Sequence, residues 1–424
     1  MTIHTFRVRR SRIAEETTFA TDLTGTLASF IALQHTQMMV SCEQPIAETS
    51  LMQQKMDGMS TGVATGYKRA TATFTCNLAA LTARADNGTA ATQTALGRLL
   101  RAYFGGQRLG TGDLVAAGSD TDTINVDTAS RWENGCGIAY LADGRMRARV
   151  VHSKATAALT VYPTIPAADV PADNATAYNS ATYYLGPSAQ DDSGNKTIQL
   201  IAEGLVTSDR YLLLGGKVTS LSFTFARGQI ATVQGTIQFV DWMYGEDCAT
   251  DLTTDTAPLD YVTEASNGLA VTVHDSDLWI TEVDASDGSL DDMGSQHASE
   301  ITIGCSAQWV MVPSTSGVNG AIGWARNQAP SVVNVSMSVP YEDRTWQDAR
   351  DDISPDEHYA ITLQVGSTTA AGCVLFDAKV QIRTVEAPVD VEGLTYQRVS
   401  FVGGVPITAD TTDIADSPFK IHLF

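Results

Sequence analysis

Apolar and polar residues alternate in short runs along most of the chain, and a period of two predicts strands rather than helices. Residues 40–42 and 70–78 (ATATFTCNL) read as strands on either side of a long segment, residues 43–68, rich in Met, Gln, Gly and Ser. A connection of that length between paired strands is as a rule functional or disordered, and an extended hairpin or flap is the expectation. The period becomes helical over residues 94–104 (TALGRLLRAYF), where Leu96, Leu99, Leu100 and Tyr103 share one face and Gly105 and Gly106 supply a stop. That stripe predicts a helix packed on a sheet. Residues 135–184 carry short β runs ended by turn residues, with a Pro/Ala stretch, the pattern of a small inserted β barrel or flap.

The strand–turn–strand pattern of residues 211–240 recurs without a gap in residues 373–402, an offset of 162. Leu213/Leu375, Lys217/Lys379, Val218/Val380, Phe239/Phe401 and Val240/Val402 are identical at that spacing. Alternation is kept in the second strand, where Ile237 and Phe239 meet Val399 and Phe401. It slips in the first, where Leu221, Phe223 and Phe225 meet Arg383, Val385 and Ala387. Upstream, residues 300–312 and 332–339 repeat the strand–loop–strand order, and residues 343–350 (DRTWQDAR) stand where a second helix is due. A doubled β unit accounts for this order. The expected organisation is an N-terminal arm (1–35), a first domain (36–250, insertion at about 131–187), an acidic linker (251–266) and a second domain (267–424) ending in a C-terminal arm.

The length of 424 residues suits two cores rather than one, and 43% hydrophobic residues suffice to build them. A net charge of -21 argues against ordinary binding to a phosphate backbone, which needs clustered Lys and Arg. Residues 241–300 hold fifteen acidic side chains and no Lys or Arg, a solvated linker and loops or else a cation site or charged wall. Arg7, Arg9, Arg10 and Arg12 form the basic counterpart and are candidate inter-subunit contacts to such acidic stretches. That cluster lacks the apolar stretch of a signal peptide, and no window is long and apolar enough to span a bilayer as a helix, which predicts a cytoplasm-like compartment. Cys42, Cys76, Cys136, Cys248, Cys305 and Cys373 lie far apart without C-x-x-C spacing, as reduced core thiols would.

No constellation for catalysis emerges. The S-x-x-K match at Ser193 and Lys196 sits in a turn without companion motifs, and the Gly105–Gly112 cluster follows a helix instead of preceding one. Gly215, Gly216 and Lys217 open a strand, and the acidic run from Asp284 to Asp292 misses the spacing of a Ca²⁺ loop. The seven histidines fall in no zinc or nucleophile motif. The residues call for no enzyme activity, cofactor or metal.

GGKVTSLSFTFARGQIATVQGTIQFV (residues 215–240) is similar to the closing strand pair of long-tailed bacteriophage major tail tube proteins, in which a G-x-K-V-x-S-L strand leads through a glycine-containing turn into a G-x-x-x-F strand. ATATFTCNL, ALGRLLRAYFGG and GCGIAYLADGRMRARVV resemble the entering strand, the helix and the insertion of some members; the likeness covers residues 36–246 and, more faintly, 267–402. The second copy departs in its helix and lacks the insertion. The resemblance implies a mainly β chain: two tail-tube-like β-sandwich or barrel domains in tandem, each with a short helix, plus a small β insertion in the first. It implies copies of the chain joined in threefold, pseudo-sixfold rings and stacked into a virion tail tube assembled in the host cytoplasm. Tail terminator, distal tail and tape measure proteins would be its partners, and genomic DNA would pass through without specific binding. A distal tail or tail terminator protein of the same fold is the alternative, and a carbohydrate-binding β module another. Within that frame residues 43–68 become the candidate ring-stacking loop, with Glu43 and Lys68 at its base and Met52, Met56 and Met59 as adaptable apolar contacts.

Overall fold

The computed structural model describes residues 2–44, 46–49, 61–64, 67–81, 84–185, 196–204, 209–252, 270–273, 276–284, 290–296, 298–306, 309–326, 332–341, 346, 357–368, 372–391, 394–404 and 414–424. The chain is mainly β. Its first half opens with β1 (Thr2–Arg7), β2 (Arg10–Glu15), β3 (Ile31–Ala32) and β4 (Gln37–Gln44), then the paired ribbon β5 (Ile46–Thr49) and β6 (Thr61–Ala64), then β7 (Arg69–Asn77). The helix α1 (Ala95–Phe104) follows: Thr94 Oγ1 caps its start by accepting from the Gly97 amide at 3.0 Å, and Gly105 ends it, as the sequence predicts, at a φ of 82°. Next come β8 (Gly105–Leu109), β9 (Asp113–Leu114), β10 (Thr123–Asn125), β11 (Gly137–Ala142), β12 (Arg145–Ala155), β13 (Ala158–Tyr162) and β14 (Thr176–Asn179). The half closes with β15 (Ala181–Leu185), β16 (Ile198–Glu203), β17 (Arg210–Ala226), β18 (Thr232–Phe239) and β19 (Asp241–Tyr244). The second half contains β20 (Asp277–Asp284), β21 (Leu290–Gln296), β22 (Glu300–Ser306), β23 (Trp309–Val318), β24 (Ala321–Arg326), β25 (Val332–Pro340) and β26 (Glu357–Val365). It ends with β27 (Val374–Val385), β28 (Val389–Val391), β29 (Leu394–Gly404) and β30 (Phe419–Leu423).

The two halves use one pairing scheme. Gln37 faces Thr75 across β4–β7, and Glu300 faces Ser338 across β22–β25, both partners 263 residues on. In β17–β18 the ladder runs Val218 opposite Ile237, breaks at a bulge and resumes with Ser220 opposite Thr236. In β27–β29 it runs Ile382 opposite Phe401, breaks, and resumes with Thr384 opposite Ser400, every residue 164 positions on. The structural offset of this strand pair is therefore 164, not 162. At 164 the bulges coincide and Leu221 corresponds to Val385, both buried, so the mismatch of Leu221 with Arg383, a residue of the bulge, disappears.

Three boundaries differ from the sequence reading. The separate six-stranded sheet, in the order β10-β13-β12-β11-β14-β9, begins at Asp113 and ends at Asn179, so the excursion starts well before residue 131 and stops before 187; β15 belongs to the main sheet instead. Its own core gathers Val115, Trp132, Ile138, Tyr140 and Val161. The N-terminal segment is not a free arm: β1 pairs with β4, and β2 pairs with β16 and β3. Nor is the C-terminus an arm. β30 is fully buried and lies between β15 of the first half and β27 of the second, stitching the halves together. Of the predicted second helix only Trp346, which is buried, is described, and the linker beyond Leu252 lies outside the described residues.

Candidate functional site

The first half contributes β4, β7, β18 and β17 to a continuous antiparallel sheet, and the second contributes β22, β25, β29 and β27 in the matching order. The join is β17–β22, where Ser220 to Ala226 face Ser306 to Glu300. Alternation sets the two faces of these eight strands apart. Met38, Val40, Ala72, Phe74, Phe223, Ile303, Val335 and Phe401 point into the common core. Between them, the other face presents Ser41, Thr71, Thr73, Thr236, Ser222, Thr302, Asn334, Ser336 and Ser400, a surface of hydroxyls and amides.

Charges on this face stand at its margins. Glu43 faces Arg69 at one end; Glu300, Ser338 and Arg398 line up across three strands at the other; Arg383 is exposed on the outer strand β27. The Arg398 guanidinium donates to Ser336 Oγ at 2.9 Å. Between the margins lies a shallow groove of about 370 Å³ walled by Gln37, Thr73, Thr75, Ser220, Ser222, Gln234 and Thr236. Gly235 lies in its floor with its bare side toward the core, where a Cβ would stand 2.7 Å from the Phe74 ring. Among the described residues of this face none is held as an acid, base or nucleophile; apart from Met39, 41% exposed opposite Thr73, its centre is neutral and hydrogen-bonding.

The halves are held by contacts from outside that sheet. The ribbon β23–β24, which leaves between β22 and β25, inserts two tryptophans into the first half. Trp309 Nε1 donates to the Tyr103 carbonyl at 3.0 Å, and Trp324 Nε1 donates to the Gly215 carbonyl at 2.8 Å. Lys217 Nζ stands 3.7 Å over the Trp309 ring. The Gly-Gly-Lys motif thus serves this junction, with Gly215 at a φ of 62°.

The insertion docks on the second half. Tyr162 Oη donates to Asp377 Oδ2 at 2.7 Å, and Arg147 Nη1 donates to Asp277 Oδ2 at 2.8 Å. The Gln364 side chain accepts from the Ala148 amide and donates to the Met146 carbonyl, both at 2.8 Å. Beneath them Lys420 Nζ and Asp377 Oδ2 form a fully buried ion pair at 2.8 Å, and His422 Nδ1 lies 3.0 Å from Thr182 Oγ1. Sequence reasoning passed over this network because Asp377, Lys420 and His422 belong to no motif and meet only through folding.

The residues singled out from sequence are not brought together as one site. Arg7 and Arg9 are exposed and Arg10 and Arg12 half-buried, all on or between β1 and β2; Arg10 faces Glu203 and Arg12 faces Ile201 in the sheet. Lys68 is turned back on its own half, 4.8 Å from the Trp242 ring and 3.3 Å from that residue's carbonyl. Glu43 closes β4, its carbonyl accepting from Trp242 Nε1 at 3.4 Å. Met52, Met56 and Met59 lie outside the described residues. All six cysteines are free and buried, and burial pushes the Cys76 thiol up to about 12. Among the described residues no cluster of metal-ligating side chains and no helix long and apolar enough to cross a membrane occurs. Comparison with known protein families and with curated proteins returns no match.

Proposed function

We propose that the chain is a structural protein whose copies close into rings and stack as a phage tail tube, with the polar sheet face turned inward as the wall of a DNA channel. The observation that carries this reading is the eight-stranded sheet made of two like four-stranded units, neutral on its solvent side and joined strand to strand. A sheet built of repeated units has two edges to satisfy, and ring closure through neighbouring copies removes both. The hydroxyl-rich centre of such a wall offers phosphate no cation to displace its counterions, so a duplex slides past it without adhering. A distal tail or tail terminator protein of the same fold remains the second reading, since it would use the same ring without the tube.

Negative-stain microscopy of the purified protein separates these outcomes. Tubes of stacked rings are expected; discrete rings favour the second reading, and a persistent monomer refutes both. Replacing residues 43–68 by a short Gly/Ser turn is expected to leave folded rings or protomers that do not polymerise. Tubes of normal length from that variant would remove the ribbon β5–β6 from the stacking contact.

A further inference from the structure

The molecule contains one completed junction between its like units, and the equivalent edge at its other end is closed differently. At β22 the outer edge is taken by β17, whose Leu221, Phe223 and Phe225 are all buried. At β4, the counterpart of β22, the same edge is taken by β1, with Thr5 opposite Ser41 and Phe6 opposite Val40. Of the described side chains of β1, Thr5 and Arg7 are exposed and Phe6 is half-buried, stacked on Tyr211 with ring centroids 4.6 Å apart. The counterpart of β17 in the second half is β27. Among the described residues, residues 382–385 of β27 are paired with β29 and with no strand on the opposite side.

The geometry points to an exchange of strands: the β4 edge is the docking edge for β27 of a second copy, and β1 is a provisional cover that leaves when that copy docks. This rests on the ring reading above. Carrying the β17–β22 register over by the two offsets sets Thr384 of one copy opposite Glu43 of the next, and Val385 opposite Cys42. The parity is right, since Val385 and Cys42 both point to the core, as Leu221 and Cys305 do where they pair within the chain. The ladder is short. Pro388 has no N–H to give, so residues 384–387 are the span that pairs. The ribbon β5–β6, which leaves β4 as β23–β24 leaves β22, would then lie over the second half of the docked copy.

The cover is a six-residue ladder whose described side chains bury only Phe6 in part, and it blunts an edge that a lone chain would otherwise expose. The test is to lock it. Thr5 Oγ1 and Ser41 Oγ are 3.3 Å apart across the ladder, so Thr5→Cys with Ser41→Cys, oxidised with copper phenanthroline, ties β1 to β4. Since assembly requires the uncovered state, the oxidised form is expected to lose at least about tenfold in assembled fraction, recovered on adding dithiothreitol. Oxidised protein that assembles as well as reduced protein overturns the exchange. Hydrogen exchange on the unsubstituted chain provides the second measurement: on assembly the amides of β1 should lose protection while those of residues 384–387 gain it. Assembled protein whose β1 stays protected overturns the exchange and leaves the ring reading standing, whereas a chain that forms no oligomer overturns both.

Discussion

Replacing Lys420 by Met is expected to cost roughly 3–5 kcal/mol of folding stability, because it strands a carboxylate in the interior. Asp377 and Lys420 are 0% and 1% exposed, on adjacent strands β27 and β30, and no solvent reaches either to replace a lost partner. Burial by itself would raise the Asp377 carboxyl, but Lys420, the Tyr162 hydroxyl and Lys379 outweigh it and hold the carboxyl below its ordinary value of 3.8. Removing the ammonium leaves the desolvation cost without its compensation. A triple variant, Lys420→Met with Asp377→Leu and Tyr162→Phe, removes the carboxylate together with its two hydrogen-bonded partners and is expected to recover most of the loss. Urea unfolding of the three proteins decides it. A Lys420→Met variant within about 1 kcal/mol of the parent would show that the pair does not join the halves.

The same junction should make the protein acid-sensitive. Burial, with Lys420 adding to it, pushes His422 down to about 3, so the folded chain keeps that ring neutral while the unfolded chain protonates it near 6.5. Between those values the unfolded state binds the extra proton, and stability falls as pH falls. Asp377 acts in the same direction lower down, since a depressed carboxyl stabilises above its ordinary value and loses that contribution as pH falls through the folded value. Melting temperature should therefore drop between pH 6.5 and pH 4, and His422→Gln should flatten the upper part of that drop. An unchanged slope in that variant would assign the acid sensitivity to other groups.

What was legible in the sequence follows from the range of the interactions that fix each element. The helix could be read because its signals are local: the stripe from Leu96 to Tyr103 and the stop at Gly105 adjoin one another in the chain. The repeat was visible but misplaced by two residues, since a shift of two preserves strand parity, and the bulges and the match of Leu221 to Val385 that fix the register emerge only from the pairing. The terminal strands were invisible for a different reason. FKIHLF alternates like a strand with one wet face, yet both faces of β30 are covered, and Lys420 and His422 find partners on elements far away in sequence. The Arg-rich start likewise reads as an arm because the neighbours of β1 and β2, namely β4 and β16, cannot be inferred from its composition. The polar face was not legible as a face. Thr73, Ser220, Gln234 and Thr236 are scattered in sequence, and only strand pairing brings them to one surface.

The largest functional effect is expected from putting cations on that face. Thr73, Ser220 and Gln234 are exposed, belong to three adjacent strands and wall one groove, so Thr73→Lys, Ser220→Lys and Gln234→Lys add three ammonium groups where the fold has room for them. If the face lines a channel, each ring then carries a girdle of cations, and every phosphate it neutralises steepens the fall of log affinity with log salt by about 0.9. A duplex held by about six to ten such contacts loses about 10³–10⁵ in affinity between about 50 and about 200 mM salt, so retention should be strong at low salt and vanish as salt rises. Unsubstituted tubes, with no central cation on the face, should retain no double-stranded DNA even at low salt, where attraction is strongest. Co-sedimentation of short linear duplexes with assembled protein over a salt series measures both. Tight low-salt retention by the unsubstituted protein would contradict a passive wall. A triple-lysine variant that assembles and still ignores DNA would place the neutral face away from the channel, because cations introduced into a DNA path must bind the polyanion they meet.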